Sequence, residues 1–184
     1  MTLEERIQRL EDIEEIRQLQ AKYQRVLDCR DFDGIGECFA DDITTEYCNG
    51  YMEYTGKDEA IEFLVSCMPL TMPSHHLIHG GEIEIVDETH ANGKWYLEDF
   101  LISTLTDWDE RGTAIYSNEY VKVGGKWLIK KIGYMRVYEF RANRTYDVNA
   151  VVNKTFFDAL EAGKPSDYGK YGKLFQTESL GKTE

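Results

Sequence analysis

Three of the chain's four histidines, His75, His76 and His79, fall within SHHLIHGGEIEI, residues 74–85. Imidazole changes charge near neutral pH, so the segment invites either a metal site or an acid–base site. A metal needs three or four ligands converging on one point. Along a strand successive side chains face opposite ways, so His75 and His76 diverge, as do His76 and His79. The spacing argues against a metal centre, and no resident metal is expected. Acid–base work needs less: one inward histidine and a carboxylate to orient it. Ile83 and Ile85 define the inward face, which in an unbroken strand would take His75 and His79 with them. Gly80-Gly81 can form a β-bulge that reverses parity, and then His76 and Ile78 point inward instead. The strand alone leaves both arrangements open, together with a third in which all three histidines line a solvated strand end.

Two other residues break an apolar pattern. In KWYLEDFLI, Asp99 shares a face with Trp95, Leu97 and Leu101. In KWLIKKIGYMRVYEF, Arg136 is expected on a face with Leu128, Ile132, Tyr134 and Tyr138. A buried charge needs a partner or a ligand. The plain alternative is an Asp99–Arg136 ion pair across the sheet. KYQRVLDCRDF adds Tyr23 on an apolar helical stripe and Asp28 five residues later, about 140° further round a regular helix. The two share a pocket only if the cavity is wide or the helix end distorts. Without context Asp28 is a surface carboxylate at a helix end.

The elements that must position these groups are legible from period and punctuation. Thr2 and Glu5 form a capping box, and Leu3, Ile7, Leu10, Ile13, Ile16, Leu19, Tyr23, Val26 and Leu27 recur at threes and fours. This predicts a long helix with one buried face, with a break and restart near Asp12. A short second helix is expected in DFDGIGECFADDI. Asn49-Gly50 predicts a hairpin, and KDEAIEFLVSCM a helix stopped by Pro69. Four strands follow, at 75–86, 89–106, 113–123 and 126–140, with turns at Asp87-Glu88, DWDERG and Gly124-Gly125. Helices followed by a strand meander give an α+β fold with the helices covering one face of a curled antiparallel sheet, whose open end is a natural small-molecule pocket. The catalytic domain is expected over 1–140. Residues 141–184 read as a C-terminal extension, with a short helix in NKTFFDALEAGKP and a loosely held arm after it.

Composition narrows the function classes. A net charge of −13 argues against tracking nucleic-acid phosphates. FLVSCM is the longest nearly apolar run, too short to cross a bilayer, so no membrane association is expected. The opening segment has no apolar core of the signal-peptide kind, which with four unpaired-looking cysteines (Cys29, Cys38, Cys48, Cys67) gives the expectation of a cytoplasmic protein with reduced thiols.

The run DFDGIGECFADDI after an N-terminal helix, then a hairpin, a helix and a four-strand meander, resembles the SnoaL-like/NTF2-like superfamily. That implies a cone-shaped α+β barrel, in a group that includes scytalone dehydratase, hexachlorocyclohexane dehydrochlorinase and steroid isomerases as well as non-catalytic binders. MTLEER, KYQRVLD, YCNG, SCMP, HLIHGGEIEI, GKWYLEDFLI and GYMRVYE together resemble the bile acid 7α-dehydratases, across most of residues 1–140. The resemblance implies a catalytic set at Tyr23, Asp28, His76, Asp99 and Arg136, with Asp28 reaching His76, and Tyr47 in the pocket. Tyr134 and Asn49 complete the expected substrate-binding residues. It further implies a cofactor-independent hydro-lyase acting on a steroid-like substrate, possible delivery of that substrate as a coenzyme A thioester, and a homotrimer. For a thioester, Lys130, Lys131, Arg141 and Arg144 are the candidate basic rim. The alternatives are a ketosteroid-type isomerase or side-chain hydratase, and a non-catalytic small-molecule binder. In this family the N-terminal helix is longer, the connection at TLTDWDERGTA is built differently, and no tail like 141–184 occurs.

Overall fold

A computed structural model describes residues 1–147. The helix expected in NKTFFDALEAGKP and the arm after it lie outside the described residues. Helix α1 spans Leu3–Asp28, α2 Phe32–Gly36 and α3 Lys57–Cys67; strands β1 to β6 span Phe39–Tyr47, Met52–Thr55, Ser74–Ile85, His90–Ile102, Trp108–Val123 and Lys126–Asn143. The capping box forms as expected, Thr2 Oγ1 accepting from the Glu5 amide and the Glu5 carboxylate accepting from Thr2 N–H. Helix α1 does not break at Asp12. That residue is buried, and its Oδ1 accepts from Lys122 Nζ at 2.6 Å and Trp127 Nε1 at 2.9 Å, so a charge on the buried side is a tether to β5 and β6.

The helix stripe is buried only in part. Ile16, Leu19, Tyr23, Val26 and Leu27 are in the core, whereas Leu3, Ile7 and Leu10 are 63%, 47% and 66% exposed. A helix of 26 residues is about 39 Å long. Its first turns run past the sheet, so the same periodicity is buried at one end and solvated at the other.

The six strands form one open sheet in the order β2-β1-β6-β5-β4-β3. The four long strands β3 to β6 make the expected antiparallel meander. One pair departs from that pattern: β1 runs parallel to β6, so the sheet is mixed, with β2 and β3 as edges. The Asn49-Gly50 hairpin joins β1 to β2 through Cys48–Tyr51, with positive φ at Cys48, Asn49 and Gly50.

Register breaks curl the sheet. In β3 the pairing jumps between His79 and Glu82, with Gly80 at φ +55°. This is the bulge that the glycine pair allows. A Cβ on Gly81 would sit 2.5 Å from the Trp95 indole, so the position takes no larger residue without moving the ring. Two further breaks lie between β5 and β6, at Thr113/Ala114 and Glu119/Tyr120. They alter the expected β6 face: Ile132, Tyr134 and Arg136 stay together, but Leu128 precedes one bulge and Tyr138, 55% exposed, follows the other. The β4–β5 turn also moves. DWDERG is strand from Trp108 onward, and the connection is 103–107.

Strand β6 runs on through Asn143, three residues past the strand end expected at 140. Arg144 then latches onto the β4–β5 turn, its Nη2 donating to the carbonyls of Ser103 and Thr106, and Tyr146 donates to Asp109 at 2.5 Å. The first residues of the C-terminal extension are thus tied to the β4–β5 turn and to β5. Among the described residues no helix is long and apolar enough to cross a membrane.

Candidate active site

The bulge decides the histidines. His76 turns inward with a side chain 9% exposed, while His75 and His79 are exposed, beside Phe100 and Glu98 respectively. Asp28, the last residue of α1, meets His76 with Oδ1 2.7 Å from Nδ1. Its Oδ2 accepts the backbone N–H of the same histidine at 2.8 Å, and Oδ1 also accepts the Ser74 hydroxyl at 2.8 Å. An ionised carboxylate only accepts, so Nδ1 carries a proton, and in the neutral ring Nε2 is the basic nitrogen.

Burial works against the Asp28 charge. The hydrogen bonds and attraction of His76, with the Ser74 bond, outweigh it and hold the carboxyl below its ordinary 3.8. A depressed carboxyl stabilises the fold at pH above its unfolded value and loses that contribution as pH falls through the folded value. The stability advantage of wild type over Asp28→Asn, read from urea unfolding, should therefore shrink as pH drops from about 5 towards 2. A gap independent of pH across that window would show the carboxylate to be uncoupled from folding.

Tyrosines form the neighbouring wall. The hydroxyls of Tyr23 and Tyr47 lie 3.4 Å apart. The Tyr47 and Tyr134 rings are 5.5 Å apart, and Tyr116 meets Tyr134 edge-on at 5.6 Å. Burial pushes the phenols of Tyr23, Tyr47, Tyr116 and Tyr134 upward, so all four stay protonated donors at neutral pH. Tyr23, Tyr47 and Tyr116 are almost fully buried, whereas His76, Tyr134 and Arg136 are half-buried and mark the solvent side of the cluster.

Asp99 and Arg136 do pair, Nη1 to Oδ2 at 2.7 Å, and Arg136 Nε also meets Glu139 at 3.0 Å. The guanidinium carbon lies 4.9 Å from the Tyr134 ring centroid. Burial disfavours the Arg136 charge, but Asp99, Tyr134 and Glu139 together outweigh it and raise its pKa. Gly112 makes the room: a Cβ there would lie 2.7 Å from Arg136 Nη1 and 2.9 Å from Asp99 Oδ1. Gly112→Ala should destabilise the fold by about 1–3 kcal/mol, measured by denaturant unfolding, and unchanged stability would mean the ion pair shifts freely.

Tyr116 is the residue that sequence reasoning passed over. Burial dominates its shift, with the Gln24 amide working the other way, and the charges of Asp99, Arg136 and Asp28 all register on it. It also acts on Tyr23 and Tyr47. Groups from α1, β1, β4 and β6 are thus gathered around one phenol on β5. The available signal was the alternation of Ala114, Tyr116, Asn118 and Tyr120, all buried. Asn49 Oδ1 accepts the Arg136 backbone N–H at 3.0 Å, strapping the hairpin to β6.

The candidate basic rim is already neutralised. Lys130 pairs with Asp42, Lys131 with Glu46 at 2.7 Å, Arg141 with Glu110 at 2.6 Å and Arg144 with Asp109 at 3.5 Å. Two surface grooves of about 490 and 520 Å³ lie elsewhere, around Asp12 and Lys57, and include none of the clustered residues.

A family described as the SnoaL-like domain matches residues 8–132. The chain belongs to the SnoaL-like family. Solved structures agree on the frame. A candidate scytalone dehydratase from Novosphingobium aromaticivorans superposes with TM-score 0.68 at 20% identity, over 77% of this chain and 97% of that one. A type 2 hexachlorocyclohexane dehydrochlorinase (LinA) gives 0.71 at 18% identity, over 79% and 99%. An NTF2-like protein with a cystatin-like fold, also from Novosphingobium aromaticivorans, gives 0.63 at 17%, over 73% and 88%. At such identities the likeness establishes the SnoaL-like, NTF2-like fold. What the SnoaL-like scaffold does in this chain rests on its own side chains.

Proposed function

We propose that this chain is a cofactor-independent dehydratase of the bile acid 7α-dehydratase type, removing water from a hydroxylated, carbonyl-activated steroid-like substrate. One observation carries the reading: an inward imidazole whose Nδ1 lies 2.7 Å from a carboxylate that also holds the histidine's own backbone. That is the arrangement of a general base with a fixed tautomer.

In the proposed reaction Nε2 of His76 takes the proton from carbon next to the carbonyl, and Asp28 stabilises the imidazolium. The Tyr23 hydroxyl donates to the carbonyl oxygen as it becomes enolate-like. The electron pair then re-forms the carbonyl and expels the hydroxyl, which takes the proton back from His76 and leaves as water. Arg136, its pKa raised by Asp99, holds the departing oxygen by hydrogen bonding and is not the acid. The rings of Tyr47, Tyr134 and Tyr116 suit a flat apolar framework. Because every candidate rim cation has a carboxylate partner, a free ketone or acid is favoured over a coenzyme A thioester.

Mass spectrometry after incubation with hydroxylated 3-oxo steroids, free and as thioesters, tests the reading. The expected product has lost one water and gained conjugated ultraviolet absorption. A product of unchanged mass would instead mean isomerisation, and binding without conversion would leave a carrier. The proposed assembly is a homotrimer, supported by exposed Tyr96 and Met135 flanking Ile115 along one row of paired residues. Light scattering would correct it by returning a monomer mass. A cytoplasmic location is part of the same proposal.

A further inference from the structure

Arg30 is fully buried, the bulkiest side chain to be so among the described residues. Its φ is +59°, a left-handed conformation that residues with a Cβ adopt at a cost. The turn aims the guanidinium inward between the end of α1 and the start of β3. Nη1 donates to the carbonyls of Leu27 at 2.9 Å and Asp28 at 3.0 Å and to Ser74 Oγ at 3.0 Å, and Nη2 donates to the Met72 carbonyl. One planar cation therefore ties together the two segments that carry Asp28 and His76.

We infer that Arg30 and Ser74 are positioning residues for the Asp28–His76 pair, the guanidinium setting the direction of the Ser74 hydroxyl and the hydroxyl setting Asp28 Oδ1 against the imidazole. The inference rests on the proposed acid–base reading of that pair. Its logic is one of donors and acceptors. Arginine only donates and an ionised carboxylate only accepts. The Ser74 oxygen accepts a hydrogen bond from Arg30, so its own O–H donates to Asp28 Oδ1, 2.8 Å away. The same Oδ1 faces His76 Nδ1, while Oδ2 is occupied by the His76 amide. With both oxygens committed, the carboxylate has one orientation and the imidazole one tautomer. The titratable or charged groups around Asp28 are His76 from β3, Cys29 and Arg30 from the turn after α1, and Tyr116 from β5. Ser74 is among the causes that keep the Asp28 carboxyl low against burial.

The test compares wild type, Ser74→Ala and Ser74→Thr by carbon-13 NMR titration of the Asp28 carboxyl, assigned by its loss in Asp28→Asn. No substrate is involved, so the result stands apart from whatever reaction the protein performs. Ser74→Ala should raise the Asp28 midpoint by about half a unit or more, and the threonine hydroxyl should restore it. In the dehydration assay Ser74→Ala should lose about 3- to 30-fold in kcat with little change in KM. Arg30→Lys keeps the charge but not the fork and should move the midpoint the same way. The serine variants decide the matter if the lysine variant fails to fold. An Asp28 midpoint unmoved in Ser74→Ala would overturn the inference, as would a kcat loss that threonine does not recover. A shifted midpoint in a protein that dehydrates nothing would keep the positioning and discard the proposed reaction.

Discussion

His76→Ala and Asp28→Asn should each lower kcat for dehydration by about 10²- to 10⁴-fold while circular dichroism and unfolding show an intact fold. The two losses have different origins. Without the imidazole no group within reach of Asp28 replaces the base. With asparagine at 28, Oδ1 is still an acceptor or becomes an amide donor, but no negative charge remains to stabilise the imidazolium. The double variant should therefore be little worse than His76→Ala alone, because the residues act as a unit. Steady-state kinetics on the three proteins would settle the point. Turnover near wild type in either single variant would remove the pair from the mechanism. Losses that multiply in the double variant would mean two independent contributions.

Arg136→Met should cost about 3–5 kcal/mol of stability, because it strands Asp99, whose side chain is 2% exposed, as an unpaired buried carboxylate. Adding Asp99→Leu should recover most of the loss, since two apolar groups of similar size need no solvation. Chemical denaturation of the wild type, the single and the double variant would measure both effects. A double variant no more stable than Arg136→Met would mean that packing, including the guanidinium over Tyr134, matters more than charge. Activity is the second readout: the double variant should fold and yet lose turnover if Arg136 holds the leaving oxygen.

Local punctuation and period carried a large part of the fold. The capping box, the Asn49-Gly50 hairpin, α3 and the four-strand meander follow from side-chain periodicity and turn chemistry, which act over a few residues. Inward placement of Asp99, Arg136 and Tyr134 followed from strand alternation for the same reason. Where a bulge intervened, alternation alone could not choose between His75 with His79 and His76, because one inserted residue reverses every face beyond it. Leu128 and Tyr138 were misplaced by two such bulges in β6, which has no Gly-Gly pair to announce them at those points.

The remaining features needed the tertiary structure, because they depend on residues distant in sequence. Nothing local tells that β1 lies parallel to β6, that Asp12 is held by Lys122 and Trp127, or that the exposed first turns of α1 pass the edge of the sheet. Nothing local sets Tyr116 apart from the other strand tyrosines; the charges of Asp99, Arg136 and Asp28 come to it from other elements. Arg30 carries no local sign of burial, and its left-handed backbone takes it inside. By itself the sequence determined which residue types were available and on which face most of them stand. Only the packed chain decided that the carboxylate ending α1 meets the imidazole beyond the glycine bulge, since that contact spans 48 residues and its distance is set by helix length, bulge and sheet curl together.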